Sequence, residues 1–354
     1  MKVLLVEDNA HDRQVCEDTV KVYNQKYANP VELVVAKDLN EARERLDKSI
    51  DAAVVDLKLG ADGSEGNEVI RWVLDAHYRI PVAILTGTPD AAELPYNFLG
   101  VFKKGDKEAS YEQILVMFSE IHSTGITNIL GGKGIIEQSL DQVFRDNLLP
   151  MLDKWKAYGK DDSVRAEKGL LRYTLSHLVH LLEEDDEKCF PEEMYITPPP
   201  TENVVTGSVV TQLNAEEARL IVLNPSCDLV IRHDGSPKTD SVLLVEIDQY
   251  PDVVPDYVAG IDSKSKAGKV RSAFANKANQ HHHWLPSVGE FQGGFVNFRK
   301  VRSVPFDEFT KNFSLDRVRV AAPFVKDILA RFSAYYSRQG QPDIDLAAYI
   351  PEKF

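Results

Sequence analysis

The sequence predicts an α/β N-terminal domain built on a doubly wound, parallel five-stranded sheet, followed by a helical connector and a β-rich α+β C-terminal domain. Over the first 122 residues, continuous apolar segments alternate with amphipathic ones, which is typical of a parallel sheet covered by helices on both faces. After residue 200, short apolar segments are separated by Pro, Gly, Asp and Asn, which is typical of strands joined by turns. We therefore expect domains at residues 1–123, 124–200 and 201–354.

The first domain supplies its strands and helices in strict alternation. Each predicted strand is an apolar run, and the predicted helices carry apolar residues at helical spacing. The strands are expected at 2–8, 31–38, 51–56, 80–87 and 100–104, and the helices at 10–24, 39–49, 66–77 and 106–121. Doubly wound folds bind ligands at the carboxyl ends of their strands, so a functional site is expected at that edge.

The connector is predicted to hold two long helices and a rigid linker. One apolar stripe with helical spacing covers 135–155, and Pro150 is expected to kink or restart that helix because proline lacks a backbone N–H. A second stripe covers 170–182 and leads into the acidic run EEDDE at 183–187. The segment TPPP at 197–200 must be extended.

The C-terminal domain is predicted to be a small barrel or sandwich capped by a terminal helix. Its strands are expected within 203–213, 218–231, 240–250, 281–286 and 293–304, with one helix near 264–279. The terminal helix is expected to start after Pro323 and to stop at Gly340.

Composition and charge limit the classes of function. The net charge of −14 argues against non-specific nucleic-acid binding by the whole molecule. Residues 260–320 nevertheless carry 11 basic and 5 acidic side chains, so a basic face for nucleic acid or for an acidic partner is an alternative there. Three cysteines without paired spacing indicate neither a disulfide framework nor a zinc ribbon. No apolar run is long enough to span a bilayer, and we expect a cytoplasmic protein without a membrane partner.

Polar residues close four of the five predicted N-terminal strands. Glu7 and Asp8 close the first strand, Asp56 the third, Thr86 the fourth and Lys104 the fifth. With the strand order 2-1-3-4-5 these ends lie at one edge, where carboxylates repel one another unless a cation lies among them. Such oxygen ligands suit Mg²⁺. Asp56 is then an oxygen nucleophile, while the metal, Lys104 and Thr86 can stabilise charge on a transferred phosphoryl group.

These residues make the N-terminal domain similar to the receiver domain of two-component response regulators. The resemblance covers about the first third of the chain and lies in LLVEDNAHDR (4–13), AAVVDLKLGADGSEGNEVI (52–70), AILTG (83–87) and FKKG (102–105). It implies a flavodoxin-like fold, and an Asp56 that accepts phosphate from a histidine kinase or phosphotransfer protein. It also implies that the domain catalyses its own phosphotransfer and dephosphorylation, without being an independent turnover enzyme.

The same resemblance implies a role for each residue at the strand ends. Gly66 matches the glycine of the family's loop. The other implied roles are direct Mg²⁺ binding by Asp8, Asp56 and the Lys58 carbonyl, Mg²⁺ binding through water by Glu7, and contact with the phosphoryl group by Thr86 and Lys104.

Two features depart from the family's pattern. The 18 positions from Thr86 to Lys104 are few for this family. The family's helix between the fourth and fifth strands is therefore expected to be truncated. Val101 stands where receivers carry a switch Tyr or Phe, and Phe102 and Phe98 are the alternatives for that role.

Residues beyond the first domain give weaker patterns. Cys227 with His233, His281 and His283 can be read as a Cys/His nucleophile pair or a metal site, but the spacings match no known metal motif. The simpler interpretation is a small buried cysteine and a polar strand edge. His281 and His283 would share one face of a strand.

Two motifs in the connector also have simpler interpretations. His177 or His180, in LSHLVHLLEEDD (175–186), can be read as a phosphate relay with Asp56, but a histidine on a helix hairpin is more often a surface or core residue. GGKG at 131–134 lacks the first glycine and the Ser or Thr of a phosphate loop.

The output of the chain is predicted not to be DNA binding, because no helix-turn-helix pattern follows the first domain. The segments LNPSCDLV and APFVKDILARFSAYYSRQG resemble regions fused to receivers in anti-phage two-component systems of the Detocs kind. That resemblance implies a buffering or scaffolding role in phage defence. A homodimer and an unidentified protein partner of the C-terminal module stay open. The alternative functions are a receiver-controlled enzyme with a site near Cys227 and His281/His283, and nucleic-acid binding by residues 260–320.

Overall fold

A computed structural model describes residues 1–60, 65–93, 99–106, 109–183, 188–213, 218–233 and 235–338, without side chains at 181–183. The chain divides after Asp185 into two compact units, an N-terminal and a C-terminal one, and each is described by itself. The three-part division predicted from the sequence stays a prediction. Among the described helices, none is both long and apolar enough to cross a membrane.

The N-terminal unit contains the predicted five-stranded parallel sheet. The strands are β1 (Lys2–Val6), β2 (Glu32–Ala36), β3 (Ala52–Val55), β4 (Val82–Thr86) and β5 (Gly100–Lys103). They pair in the order β2-β1-β3-β4-β5, and every pairing is parallel. The predicted strand order is therefore confirmed, and the carboxyl ends of all five strands lie at one edge.

Helices cover both faces of this sheet. They are α1 (Ala10–Lys26), α2 (Leu39–Arg45), α3 (Gly66–Asp75) and α4 (Tyr111–Ser123). Alternate strand residues enter two separate cores, one shared with α1 and α4 and the other with α2 and α3. Leu5 and Phe118 belong to the first core, and Leu4 and Val69 to the second. This division confirms a strand pattern buried on both faces.

Two segments of this unit are set by local structure, the start of α4 and the connection between β4 and β5. Helix α4 starts at Tyr111 instead of residue 106 because the Ser110 side chain accepts a hydrogen bond from Gln113 N, and the Gln113 side chain accepts one from Ser110 N. Between β4 and β5, the described residues hold one 3₁₀ turn, Pro89–Ala91. Residues 94–98, with Phe98, lie outside the described residues.

The first of the two long helices predicted in the connector is interrupted at Pro150. The segment forms α5 (Ile126–Leu130), α6 (Ile135–Val143), α7 (Leu152–Asp161) and α8 (Ser163–Glu183). A π turn over Phe144–Leu148 and a 3₁₀ turn over Leu149–Met151 separate α6 from α7. Pro150 lies in this break and cannot donate a helical hydrogen bond, so the expected restart of the helix is confirmed.

The C-terminal unit is built on one antiparallel sheet of seven strands. The strands are β6 (Tyr195–Ile196), β7 (Ser208–Gln212), β8 (Arg219–Val222), β9 (Ser241–Asp248), β10 (His282–Leu285), β11 (Gly294–Pro305) and β12 (Phe313–Val320). Their order is β10-β11-β9-β8-β7-β12-β6. The two edges of the sheet approach each other. The hydroxyl of Tyr195 on edge strand β6 donates to the carbonyl of Pro286, just after edge strand β10. The described residues form no ladder between β6 and β10, so the unit is a partly closed barrel, not a two-sheet sandwich.

The described residues of this unit form six α-helices. They are α9 (Ser226–Leu229), α10 (Tyr250–Val253), α11 (Pro255–Ala259), α12 (Lys264–Phe274), α13 (Phe306–Asn312) and α14 (Ala322–Tyr336). Helix α14 packs Val325 and Ile328 into the core on one face of the sheet, and α13 packs Phe309 against the other face. Helix α14 starts at Ala322, with Pro323 in its first turn, and the predicted stop at Gly340 lies outside the described residues.

Several elements of this unit were not predicted from the sequence, including the short helices α9, α10 and α11. Strand β6 falls in the segment assigned to the connector, and α13 and β12 fall in a segment without assigned structure. Strand β12 has apolar residues at 313, 315, 318 and 320, and its pairing with β7 shifts register between Leu315 and Arg319. These apolar residues do not keep one two-residue alternation, so the strand signal in the sequence is broken.

Candidate functional site

The strands place the predicted residues one step beyond the end of the sheet ladder. The backbone N–H of Asp56 donates to Val6 O, which brings the end of β3 beside the end of β1. The N–H of Lys104 donates to Thr86 O, which joins the ends of β5 and β4 in the same way. All five predicted strand-end positions therefore lie at one edge.

Three carboxyl groups converge at this edge. One oxygen from each of Glu7, Asp8 and Asp56 lies within 4.8 Å of the other two. Glu7 and Asp56 are buried, and Asp8 is exposed. Burial raises the pKa of Glu7 above its ordinary value, although contact with Lys104 works in the opposite direction. Among the described residues this is the one group of His, Cys, Asp and Glu side chains close enough to hold a metal ion.

Lys104 supplies the ammonium group that these acids share. Its Nζ lies 2.6 Å from Glu7 Oε2, 2.8 Å from Asp56 Oδ2 and 2.8 Å from Asp12 Oδ2. Burial lowers the pKa of Lys104, but hydrogen bonds to Asp12, Asp56 and Glu7 outweigh it and raise that pKa above its ordinary value. Lys104 therefore stays protonated, with all three ammonium N–H groups in use.

Asp12 is a site residue that sequence reasoning missed. It lies in the first turn of α1, where the Asn9 side chain caps the helix by accepting from the N–H groups of His11 and Asp12. The start of α1 follows directly on Asp8, so this first turn lies beside the same strand ends. An acid four residues after Asp8, within the first turn of a capped helix, is the signal that could have identified it.

The loops around Asp56 and Glu7 are held by backbone contacts. Lys58 N–H donates to Asp56 Oδ1 at 3.2 Å, and the Arg13 guanidinium donates to the carbonyls of Glu7 and Asp8. A Cβ on Gly66 would overlap the carbonyl oxygen of Asp56, so only glycine fits where α3 meets the end of β3. Binding of a metal by the Lys58 carbonyl stays a prediction.

Thr86 and the switch candidates occupy distinct environments. Thr86 is fully buried, and its hydroxyl accepts from Thr88 N–H at 3.3 Å. Val101 is exposed, while Phe102 packs against the core shared by α1 and α4. Phe102 is thus the described aromatic residue that links β5 to this core.

Within the part of the chain that the structure describes, Cys227, His281 and His283 form no common metal-binding group. Cys227 is exposed, and its thiol contacts Asp228, which pairs with Lys238. His283 is buried on the sheet, with Nδ1 3.6 Å from Asp327 Oδ2 of α14, and burial lowers its pKa to about 4. The His281 ring also lies toward α14, beside Tyr335. His281 and His283 therefore face the same helix, and neither has a described contact with Cys227.

A different carboxylate, Asp248 at the end of β9, gathers donors in the C-terminal unit. It accepts from His282 Nε2 at 3.2 Å, Asn297 Nδ2 at 2.7 Å and Lys300 Nζ at 2.7 Å. Burial raises the pKa of Asp248, but these three donors outweigh it and lower the pKa to about 2. His282 Nδ1 contacts the Asn279 side chain, so both ring nitrogens of His282 have partners.

The two connector motifs have structural roles. His177 Nδ1 contacts Tyr173 O, and its ring packs on that of Tyr173. In GGKG, a Cβ on Gly131 or Gly134 would overlap backbone atoms of α5, and one on Gly132 would crowd Lys48. These glycines permit close packing and form no phosphate loop.

Several basic side chains of residues 260–320 are paired with acids. Lys266 contacts Asp262, and Arg302 contacts Glu246. Lys300 is one of the donors to Asp248. These pairings reduce the basic charge that is free to meet nucleic acid.

Comparison with known proteins gives matches among solved structures. No protein-family model matches the chain, and none of the curated proteins matches it either. The N-terminal third of the chain is similar to receiver domains of response regulators.

Three of these structures illustrate the similarity. A receiver protein from Pseudoalteromonas atlantica is 12% identical, with 35% of this chain and 98% of that one covered and a TM-score of 0.29. The receiver domain of PhyR from Erythrobacter litoralis is 19% identical, with 34% and 89% covered and a TM-score of 0.28. A receiver domain from Methylobacillus flagellatus is 17% identical, with 33% and 98% covered and a TM-score of 0.27.

Proposed function

We propose that the chain is a response regulator in which Asp56 accepts a phosphoryl group from the phosphohistidine of a histidine kinase or phosphotransfer protein. The observation that carries this proposal is the position of Lys104. Its ammonium group contacts Asp56 and Glu7 directly, at a strand-end edge that also holds Asp8. A nucleophilic carboxylate, a fixed cation and an acidic group able to hold a metal are the parts that phosphoryl transfer requires.

The carboxylates at this edge fit a magnesium ion. Magnesium binds hard oxygen ligands at about 2.1 Å, so two ligands on opposite sides of one ion lie about 4.2 Å apart. The oxygens of Glu7, Asp8 and Asp56 lie within 4.8 Å of one another, and the exposed Asp8 is free to adjust. We propose that Asp8, Asp56 and the Lys58 carbonyl hold Mg²⁺ directly and that Glu7 holds it through water.

The chemistry assigned to the site is a single displacement at phosphorus. An oxygen of Asp56 forms a bond to phosphorus as the bond from phosphorus to the donor imidazole nitrogen breaks, and the bonding electron pair leaves with the imidazole. Lys104 and the Thr86 hydroxyl stabilise the charge on the transferred oxygens. A bound Mg²⁺ would supply further positive charge. When water attacks the same phosphorus, the bond from phosphorus to the Asp56 oxygen breaks, inorganic phosphate is released and the Asp56 carboxylate is restored.

For the C-terminal unit we propose a non-DNA-binding output, buffering or scaffolding role in a cytoplasmic signalling pathway. Support comes from the separation of its candidate groups, since His281 and His283 face helix α14 and the thiol of Cys227 contacts Asp228. A role in phage defence depends on the resemblance to Detocs-type systems alone. Metal analysis with thiol labelling tests the enzyme alternative, which requires a bound metal or a reactive Cys227.

The phosphoacceptor assignment is tested on the full chain with acetyl phosphate and Mg²⁺. We expect a mass increase of one phosphoryl group, and borohydride reduction should convert the modified Asp56 to homoserine, which peptide sequencing locates. Asp56→Asn should abolish the label. Asp18→Asn is the matched control, because Asp18 is an exposed acid of α1 paired with Lys21, and it should label like the wild type. Full labelling of Asp56→Asn would contradict the proposal.

A further inference from the structure

Asp12 is the contact of Lys104 that the proposed chemistry does not use. Lys104 has three N–H donors, and they meet Glu7, Asp12 and Asp56. Two of these partners change when the site works, since Asp56 becomes an acyl phosphate and Glu7 is assigned to the metal. Asp12 is not part of the acid group that can hold an ion, so its carboxylate keeps the same partner throughout.

Asp12 is itself held by the start of α1. Its backbone N–H donates to the Asn9 side chain, and a carboxylate in the first turn interacts favourably with the helix dipole. The neighbouring Arg13 ties the β1–α1 loop by donating to Glu7 O and Asp8 O. A carboxylate fixed in this way can restrain a long, flexible lysine side chain.

We propose that Asp12 is a positioning residue that holds the Lys104 ammonium at the phosphoryl site before and after transfer. This inference rests on the proposed phosphoacceptor function of Asp56. When Asp56 is phosphorylated, the donor that met Asp56 Oδ2 turns to a phosphoryl oxygen, while the donor to Asp12 stays in place. In this proposal the carboxylate oxygen of Asp12 acts mainly as a hydrogen-bond acceptor for Lys104. The negative charge of Asp12 contributes less to holding the ammonium group.

Two substitutions separate these contributions. Asp12→Asn keeps an acceptor oxygen and removes the charge, whereas Asp12→Ala removes both. In labelling with acetyl phosphate and Mg²⁺, Asp12→Ala should lower the rate roughly tenfold to a hundredfold because the ammonium is displaced, and Asp12→Asn should stay within about threefold of the wild type. Asp18→Ala and Asp18→Asn, on the same helix, should leave the rate unchanged.

The ammonium group can also be observed without any phosphorylation. In ¹⁵N-lysine-labelled full-length protein, the Lys104 ammonium should give a slowly exchanging NMR signal, assigned by its loss in Lys104→Arg. That signal should persist in Asp12→Asn and disappear in Asp12→Ala, while circular dichroism shows that both variants keep their helices.

The outcomes separate this inference from the proposed function. A wild-type chain that does not label refutes the phosphoacceptor function, while the NMR comparison still decides whether Asp12 positions Lys104. Faster labelling of both Asp12 variants would show that the carboxylate only repels the incoming phosphoryl group, which overturns the inference. Wild-type rates and an unchanged Lys104 signal in Asp12→Ala overturn it as well.

Discussion

In the N-terminal unit one ammonium group, that of Lys104, contacts three carboxylates, whereas in the C-terminal unit one carboxylate, that of Asp248, accepts from three donors. Both groups lie at the end of a strand and both are partly buried. At Lys104 three carboxylates meet one ammonium group, so the cluster has an excess of negative charge that a divalent cation can neutralise. At Asp248 each donor satisfies the carboxylate and nothing further is required. The excess of acids at the first cluster therefore leaves a place for a cation, whereas the second cluster has its charge matched within the unit.

The largest expected effect of this difference is a selective response to magnesium. At a Mg²⁺ concentration of 100 times the dissociation constant, we expect the free energy of unfolding of the N-terminal unit to rise by about 2.7 kcal/mol. Urea unfolding measures it, with Trp72 reporting on the N-terminal unit and Trp284 on the C-terminal unit in single-tryptophan variants. The comparison fails if Mg²⁺ stabilises both units equally, or if Asp8→Asn responds like the wild type.

The next effect concerns the balanced cluster. Asp248→Ala leaves His282, Asn297 and Lys300 without their shared acceptor, so we expect the C-terminal unit to lose about 2 kcal/mol of stability. Asp307→Ala is the control, because Asp307 forms an exposed pair with Lys311 on α13, and exposed pairs contribute little. Urea unfolding followed at Trp284 compares the two variants. An Asp248→Ala protein as stable as its control would remove the structural role assigned to this cluster.

A smaller effect of opposite sign is expected at the unbalanced cluster. Without Mg²⁺, Asp8→Asn removes one of the mutually repelling carboxylates, and we expect the N-terminal unit to gain about 1 kcal/mol, as when residues kept for function are replaced. Chemical unfolding in EDTA measures this gain. Asp90→Asn, an acid outside the cluster, should change nothing. Loss of stability in Asp8→Asn would mean that the acids of this edge are already balanced.

The same contrast explains what could be predicted from the sequence. Strands β1, β3 and β4 are apolar runs buried on both faces, so their existence and ends followed from hydrophobicity. The convergence of Glu7, Asp8 and Asp56 followed once the strand order of a doubly wound fold was assumed. Asp12 was missed because a helix's first turn, unlike a strand, gives no alternation that fixes where one side chain points. The break between α6 and α7 was signalled by Pro150.

The C-terminal unit was harder to predict because the contacts that define it join residues far apart in the sequence. The apolar residues of strand β12 do not keep one two-residue alternation, and the strand is defined by its pairing with β7. The donor His282 lies on β10, and the donors Asn297 and Lys300 lie on β11. Their convergence on Asp248 therefore depends on the sheet order β10-β11-β9. No spacing along the chain encodes that order. His282, which makes the contact, was passed over for His281 and His283 for the same reason.

The smallest expected effect is a difference in pH dependence between the two units. The folded-state pKa of Asp248 is lowered to about 2 from 3.8, so its contribution to stability is present above the unfolded-state value and is lost as pH falls toward 2. The loss amounts to about 0.3 kcal/mol by pH 4 and about 1 kcal/mol by pH 3. The pKa of Glu7 is raised from 4.5, so the folded N-terminal unit binds this proton more readily and gains stability as pH falls from the raised value to the ordinary one, where the gain is complete.

Unfolding in urea between pH 3 and 6 without Mg²⁺ measures both slopes through Trp72 and Trp284. Glu7→Gln should flatten the slope of the N-terminal unit and leave that of the C-terminal unit unchanged, and Asp248→Asn should do the reverse. If the two wild-type units share one slope, the opposite charge balance of their clusters does not govern their acid stability. A C-terminal unit that keeps its slope in Asp248→Asn would transfer the effect to another carboxylate of that unit.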